Sequence, residues 1–288
     1  MIGFRFVGEH RADYEVVDLC RVAGVCRSGY YSWRGRPLSA RSQADQALLE
    51  EIRRIHTDSL GTYGRPRVWG QLRRQDLGVG QRRVGRLMRQ NHLVGVCGRR
   101  RWRQGQRRRG TAPGPDLLNR NFGAERSDQR WVADITEFHC LDGKLYLAGI
   151  RDLHDHCLVG WSMGERQTTD LVVGALVMAL ARRQPTTGAI HHADQGPQFT
   201  SLEFTRRLHD WGLVGSWGSV GDPADNAAME AFWATTKREI RHIWGPWQQK
   251  TRSELRTILF TYIEVFYNRR RHQAGLGHRT PAEAYHAA

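Results

Sequence analysis

Trp131-Val-Ala-Asp-Ile-Thr-Glu-Phe138 is the stretch on which the fold turns. It is a strand-like run with an acidic residue, Asp134, held inside it. Working outward, strand patterns occupy 130–138, 144–151 and 157–163, and a helical pattern follows over 169–183. A fourth strand covers 189–194, where Ala189-Ile-His-His-Ala-Asp194 ends on Asp194 just before Gly196 and Pro197. A helix over 202–211, a strand over 213–217 and a helix carrying Glu230 complete the set. Three strands followed by helix, strand, helix, strand, helix make an α/β domain with acidic residues on its first strand, fourth strand and last helix.

The spacing of those acids is informative. Between Asp134 and Asp194 lie 59 residues, and between Asp194 and Glu230 lie 35. Hard divalent cations take oxygen ligands and need open positions to activate a nucleophile and steady a leaving oxygen in phosphoryl transfer. Three carboxylates converging from two strands and a helix meet that need. Carboxylates at chance spacing are common, so the surrounding residues decide.

Those residues are His191-His-Ala-Asp-Gln-Gly-Pro-Gln-Phe-Thr-Ser201, Gly221-Asp-Pro-Ala-Asp-Asn-Ala-Ala-Met-Glu-Ala-Phe232, and Tyr267-Asn-Arg-Arg-Arg271 with Leu276-Gly277 and Thr280-Pro281 behind it. Together they closely resemble the catalytic half of the IS3-family insertion-sequence transposases, whose core is similar to retroviral integrase. The resemblance runs over nearly the whole chain. It implies a ribonuclease H-like catalytic core preceded by an all-α helix-turn-helix region, with Mg²⁺ or Mn²⁺, two ions, on Asp134, Asp194 and Glu230. It also implies cleavage and strand transfer at the ends of a mobile element. The DNA partners would be the terminal inverted repeats and the target. A homo-oligomer would assemble on DNA, with an upstream-frame protein or fusion as a further partner.

The formal charge of +15 and pI near 10.4 point to a polyanion. Residues 1–126 hold 26 Lys and Arg against 11 Asp and Glu, whereas 127–288 hold 18 of each. A basic front half that grips phosphates thus precedes a balanced half that carries the carboxylates. Within 1–60, Val16, Val17, Leu19, Cys20, Val22 and Ala23 stripe a helix, Gly24 turns, and Ser28 caps a second helix with Tyr30, Tyr31 and Trp33. Residues 43–57 read as a further helix.

A second helix-turn-helix unit spans 61–98. Pro66 opens its first helix, Gly78 and Gly80 turn, and a helix from Gln81 buries Val84, Leu87 and Met88. Its outer face presents Arg82, Arg86 and Arg89, suited to guanine or phosphate in a major groove. Residues 99–127 form a basic linker. There Arg99, Arg100, Arg101, Arg103, Arg107, Arg108 and Arg109 crowd around Trp102, a density of like charge that cannot pack and that would order on DNA. The catalytic core, with a C-terminal helix and tail, takes 128–288.

The Glu230 helix turns Met229, Phe232, Trp233, Thr236, Ile240 and Ile243 inward. Lys237, one of only three lysines, falls within about 20° of Glu230 and about 10 Å along the axis. It stands where the family carries a basic residue, so the resemblance gives it a grip on the DNA end. Thr251 and Glu254 form a capping box for a helix whose Leu255, Ile258, Leu259, Tyr262, Ile263, Phe266 and Tyr267 share one apolar face. The core or a second protomer has to cover that face. The tail resemblance adds Asn268 and Arg271 to the DNA-contacting set.

The five cysteines form no C-x-x-C pair, which argues against a zinc knuckle or a disulfide framework. The longest apolar run, 171–181, is shorter than the roughly 20 residues of a spanning helix, and no signal-peptide core opens the chain. A cytoplasmic, nucleoid-associated bacterial protein is the expectation, with no membrane partner. Two alternatives stay open. One is a catalytically inactive, transposase-derived DNA-binding protein. The other is a ribonuclease H-like nuclease, against which the basic front half argues.

Overall fold

The computed structural model describes residues 2–98, 114–218 and 223–287, and these divide into two compact units, Met1–Glu51 and Ile52–Ala288. The arginines at 99, 100, 101, 103, 107, 108 and 109 lie outside the described residues.

In the first unit α1 (Ile2–His10), α2 (Val16–Val22) and α3 (Arg27–Arg34) close on Val7, Leu19, Cys20 and Tyr30. Gly24 makes the turn in the left-handed region, at φ 65°. The cap of α3 differs from the expected Ser28. The helix starts at Arg27, which places Ser28 inside the first turn, and the Cys26 sulfur accepts from the Gly29 N–H at 3.3 Å. Val17 and Val22 are exposed, so the buried stripe of α2 narrows to Leu19 and Cys20.

Helix α4 (Ala40–Asp58) leads into the second unit, where α5 (Arg65–Arg74) and α6 (Gln81–Gln90) follow. Proline opens α5, and Val84, Leu87 and Met88 are the buried face of α6, as the sequence leads one to expect. The residue that takes left-handed backbone between them is Asp76, at φ 57°, and neither Gly78 nor Gly80 does so. The packing division differs from the charge division: residues 52–98 belong to the same compact unit as the carboxylate-bearing half.

The sheet comprises β1 (Arg130–Cys140), β2 (Gly143–Asp152), β3 (Leu158–Gly164), β4 (Ile190–Ala193) and β5 (Val214–Trp217), in the order β3-β2-β1-β4-β5. The first three strands are antiparallel neighbours, and β4 and β5 run parallel to β1. This is the ribonuclease H-like arrangement. Helix α7 (Thr169–Arg182) forms the β3-to-β4 crossover, and α8 (Leu202–Asp210) the β4-to-β5 crossover.

Side chains alternate across β1. Trp131 and Ala133 enter the core built with α7 and α8, whereas Val132 and Phe138 enter the core built with α9 (Ala227–Trp244) and α10 (Arg252–Phe260). Asp134 shares the parity of Val132 and Phe138, so its carboxyl faces the side of the sheet that α9 covers.

The capping box of Thr251 and Glu254 is present at the start of α10. The chain then continues as a π-helical stretch, Thr261–Tyr267, which the sequence reading did not foresee. Leu255, Leu259, Tyr262, Ile263, Phe266 and Tyr267 are all buried in the α9 core, so the apolar face is covered from within the chain. A short α11 (Pro281–His286), with its own capping box of Thr280 and Glu283, ends the fold. Among the described residues no helix is long and apolar enough to cross a membrane.

Candidate active site

The register of the central strands brings the two aspartates level. Trp131 pairs with His191 across the parallel β1–β4 ladder, and Asp134 and Asp194 each lie three residues farther along. The Asp134 carboxylate accepts the Ile135 N–H at 2.8 Å, and Asp194 accepts the Gly196 N–H at 3.1 Å. Together with Ile135, Gln167, Gly196, Pro197, Gln198 and Phe199 they line a cleft of about 240 Å³. Glu230 comes from the first turn of α9 and its side chain is exposed.

The start of α9 is tied to the sheet beside Asp134. Asn226 donates its side-chain amide to the Ala133 carbonyl at 2.9 Å. The buried His192 imidazole meets the Ser216 hydroxyl at 2.8 Å and the Asp225 carbonyl at 3.0 Å. Arg120 holds the Asp225 carboxylate at 2.7 Å. The Asp-Asn pair just ahead of the helix was the sequence signal for this tie, and the reading of residues passed over it.

The Asp134 carboxyl feels both of the other acids. Burial, then the charge on Asp194, then that on Glu230 push the Asp134 carboxyl up to about 7, against the Ile135 N–H, which favours the anion. Asp194 is also raised, because the packed walls of the cleft strip hydration from a carboxyl that still reaches solvent. Among the described residues no three His, Cys, Asp or Glu side chains gather within reach of one ion.

Lys237 is half-buried on the same face, its ammonium 5.1 Å from the centre of the Phe138 ring. Burial lowers its pKa, while Glu137 and Asp134 favour its charged form. Trp233, one turn beyond Glu230, packs over Gly149, the cross-strand partner of Asp134. Its indole N–H is buried without a partner in bonding geometry, yet stands near enough to Asp134 to favour the carboxylate. The sequence marked Trp233 only as core.

Two family models match the chain: the integrase core domain over residues 124–223, and an HTH-like domain over residues 43–101. The transposase of insertion element IS629 from Shigella sonnei is 39% identical over 279 residues, covering 95% of this chain and 92% of its own. The transposase InsF of IS3A from Escherichia coli K12 is 34% identical over 280 residues, 96% of each chain. The chain belongs to the IS3-family transposases. Family members are polynucleotidyl transferases. Among solved structures, a simian T-cell lymphotropic virus intasome matches 73% of this chain and 68% of its own at 16% identity and TM-score 0.48. The HTLV-2 integrase catalytic core matches 56% of this chain and 99% of its own at 15% identity and TM-score 0.42.

In this transposase the integrase-core match contains Asp134 and Asp194 and stops short of Glu230, which lies in the first turn of α9. The HTH-like match contains Arg82, Arg86 and Arg89. Arg82 and Arg89 are exposed on α6, and Arg86 is half-buried with its guanidinium on Gln90 at 3.1 Å.

The tail residues expected on DNA are placed otherwise. Asn268 is buried and clamps the backbone of Leu158, accepting its N–H at 3.0 Å and donating to its carbonyl at 3.1 Å. Arg271 is buried and spends its guanidinium on Glu239 at 2.8 and 2.9 Å. Neither presents a donor to a nucleic acid. The correction has a simple cause: a polar residue next to a buried aromatic run is held by the core that the run enters. Glu239, which organises this region, was also missed, because on the sequence it reads as a surface helix residue.

Proposed function

We propose that this transposase cuts and joins DNA at the ends of its own insertion sequence, using Asp134, Asp194 and Glu230 to hold two Mg²⁺ or Mn²⁺ ions. The observation carrying this reading is that Asp134 and Asp194 stand level on β1 and β4 and line one cleft, with Glu230 in the first turn of the helix that covers that side of β1; burial and the other two acids push the Asp134 carboxyl up to about 7. Carboxylates that raise one another's affinity for a proton also attract a hard cation. The donor set, all carboxylate oxygen from two strands and a helix, fits such ions. When bound, the ions supply an activated water or 3′-hydroxyl and steady the leaving oxygen.

The remaining work falls to the chain. The Ile135 N–H orients one Asp134 oxygen, and the tie from Asn226 to Ala133 holds the Glu230 helix against β1. Lys237, on the same face, meets a phosphate of the DNA end in this reading. The exposed arginines of α6 contact the terminal repeat, and a pair of protomers brings two ends together. The protein works in the bacterial cytoplasm, on the nucleoid.

The test is direct. The full chain is incubated with a duplex carrying one end of its element and a supercoiled target, with Mg²⁺, with Mn²⁺ and with chelator. Strand-specific nicks at the element's end and joined products in the first two reactions, absent in the third, support the reading. Footprinting of the end without any nick or joining in either metal favours an inactive, transposase-derived DNA-binding protein.

A further inference from the structure

Outside the carboxylate cleft, a dense polar network lies where α5 meets the C-terminal tail and α9. Its centre is Glu239, 2% exposed, on the helix that also carries Glu230 and Lys237. Glu239 accepts both arms of Arg271 and the Tyr262 hydroxyl at 2.8 Å, and Arg67 reaches it from α5 at 3.5 Å. Burial would raise its carboxyl, yet the two arginines and the Tyr262 hydroxyl hold it below the usual range.

Around that centre α5 is fastened along its length. The Tyr63 hydroxyl, just ahead of α5, donates to the Arg270 carbonyl at 3.2 Å and receives the His272 N–H. Gln71 and Arg74 donate to the His278 carbonyl at 3.2 and 2.8 Å, and Arg74 forks onto Glu283. Between them Gly70 lies so close to His278 that a Cβ there would collide with the imidazole. Helix α6 is fixed to α5 in turn: Arg65 lies across Gly85, where a Cβ would stand 2.6 Å from its Cδ. A DNA-reading module on a loose tether has no use for a buried carboxylate shared with the catalytic helix.

We propose that Glu239, gripped by Arg67 and Arg271, is a positioning residue that sets α6 at a fixed distance from the catalytic carboxylates of the same chain, so that cleavage falls at a set number of base pairs from the sequence α6 reads. The inference rests on the assignment of α6 to DNA and of the three acids to cutting. Its content is geometric: recognition and chemistry share one rigid body, and the DNA must present both sites in the same helical phase.

The experiment uses the full chain and duplexes carrying the terminal repeat of its element, with the footprinted bases moved from the cleaved bond by about five base pairs, half a turn, or about ten, one turn. Protection and cleavage rate are read separately. For the parent protein, protection follows the moved bases with little change in affinity, while cleavage falls about 100-fold at the half turn, the scale expected for misplaced reacting groups. Arg67→Ala leaves the Arg271–Glu239 pair intact. It should cut the normal duplex more slowly and lose discrimination, its ratio of shifted to normal cleavage rising about tenfold, with Arg67→Lys in between. Parent cleavage that is indifferent to the shift overturns the inference while leaving the proposed function standing. So does an Arg67→Ala protein that melts earlier but keeps the parent's ratio, since that marks Arg67 as structural only. Absence of any footprint on the normal duplex removes the proposed function, and the inference with it.

Discussion

Trp233 occupies the space that a side chain on Gly149 would take. A Cβ at that position would stand 2.8 Å from the indole Cη2, and Gly149 is the residue facing Asp134 across the β1–β2 ladder. Cross-strand partners project to the same face of a sheet, so the indole is packed directly beside the Asp134 carboxyl. Gly149→Ala is expected to cost about 1–3 kcal/mol by overpacking, and to reduce DNA cleavage beyond what that loss explains. Comparing melting temperature with cleavage at a temperature where both proteins stay folded checks it. Wild-type cleavage from the alanine protein would show that the indole only fills space.

Asp134→Asn, Asp194→Asn and Glu230→Gln each remove a negative ligand with little change of shape. Each should abolish metal-dependent cutting and leave end binding within about threefold, because anionic ligands hold the cation while other residues hold the DNA. Any one of the three cutting at the parent rate would remove that residue from the site.

The raised Asp134 carboxyl has a pH signature of its own. Without divalent metal the folded protein binds this proton more tightly than the unfolded chain, whose aspartate titrates near 3.9. The contribution is therefore fully present below about pH 4 and is lost as pH rises through the folded value of about 7. Asp134→Asn should gain stability relative to the parent between those limits, with a constant advantage above. Melting curves in chelator across pH 4–9 measure it, and a difference that stays flat with pH would contradict the shift.

Lys237→Ala should lower strand joining strongly while costing only about 0.5–1 kcal/mol of fold, the scale of one cation–π contact with Phe138. Lys237→Arg should recover part of the activity. Arg238, exposed and bonded to Thr235, is the comparison, and its alanine variant should join ends nearly normally. Equal small losses at both positions would return Lys237 to a packing role.

Arg271→Ala leaves the buried Glu239 carboxylate with only the Tyr262 hydroxyl and the longer contact from Arg67, and should destabilise the protein by up to about 3–5 kcal/mol. Arg82→Ala and Arg89→Ala should do the reverse: melting unchanged, and the slope of log affinity against log salt reduced by about one unit each if each meets a phosphate. Tail and α6 thus separate in one pair of assays, denaturation and salt titration. A normal melting curve for Arg271→Ala would contradict its buried pairing.

The placement of the three acids was legible because they lie in short segments whose local pattern is strong. A strand that places Val132 and Phe138 in a core has to aim Asp134 the same way, and a helix with Met229 and Trp233 buried has to carry Glu230 at the rim. The tail was not legible for the opposite reason. Asn268, Arg271 and Glu239 acquire their roles from partners far away in the chain, and a charged side chain does not announce from its neighbours that it will be buried. The docking of α5 was hidden likewise, since Tyr63, Gln71 and Arg74 all bond to atoms about two hundred residues on.

The π-helical stretch after α10 constrains how this protein can vary. Asn268 and Arg271 each donate their backbone N–H five residues back, to Ile263 at 3.0 Å and Phe266 at 2.8 Å. One residue corresponds to about 100° of helical rotation. Removing a single residue from this segment would swing the Asn268 clamp and the Arg271 fork off Leu158 and Glu239 together. A change of length in this element is therefore expected to be tolerated less well than a conservative substitution, because it displaces every one of these contacts at once.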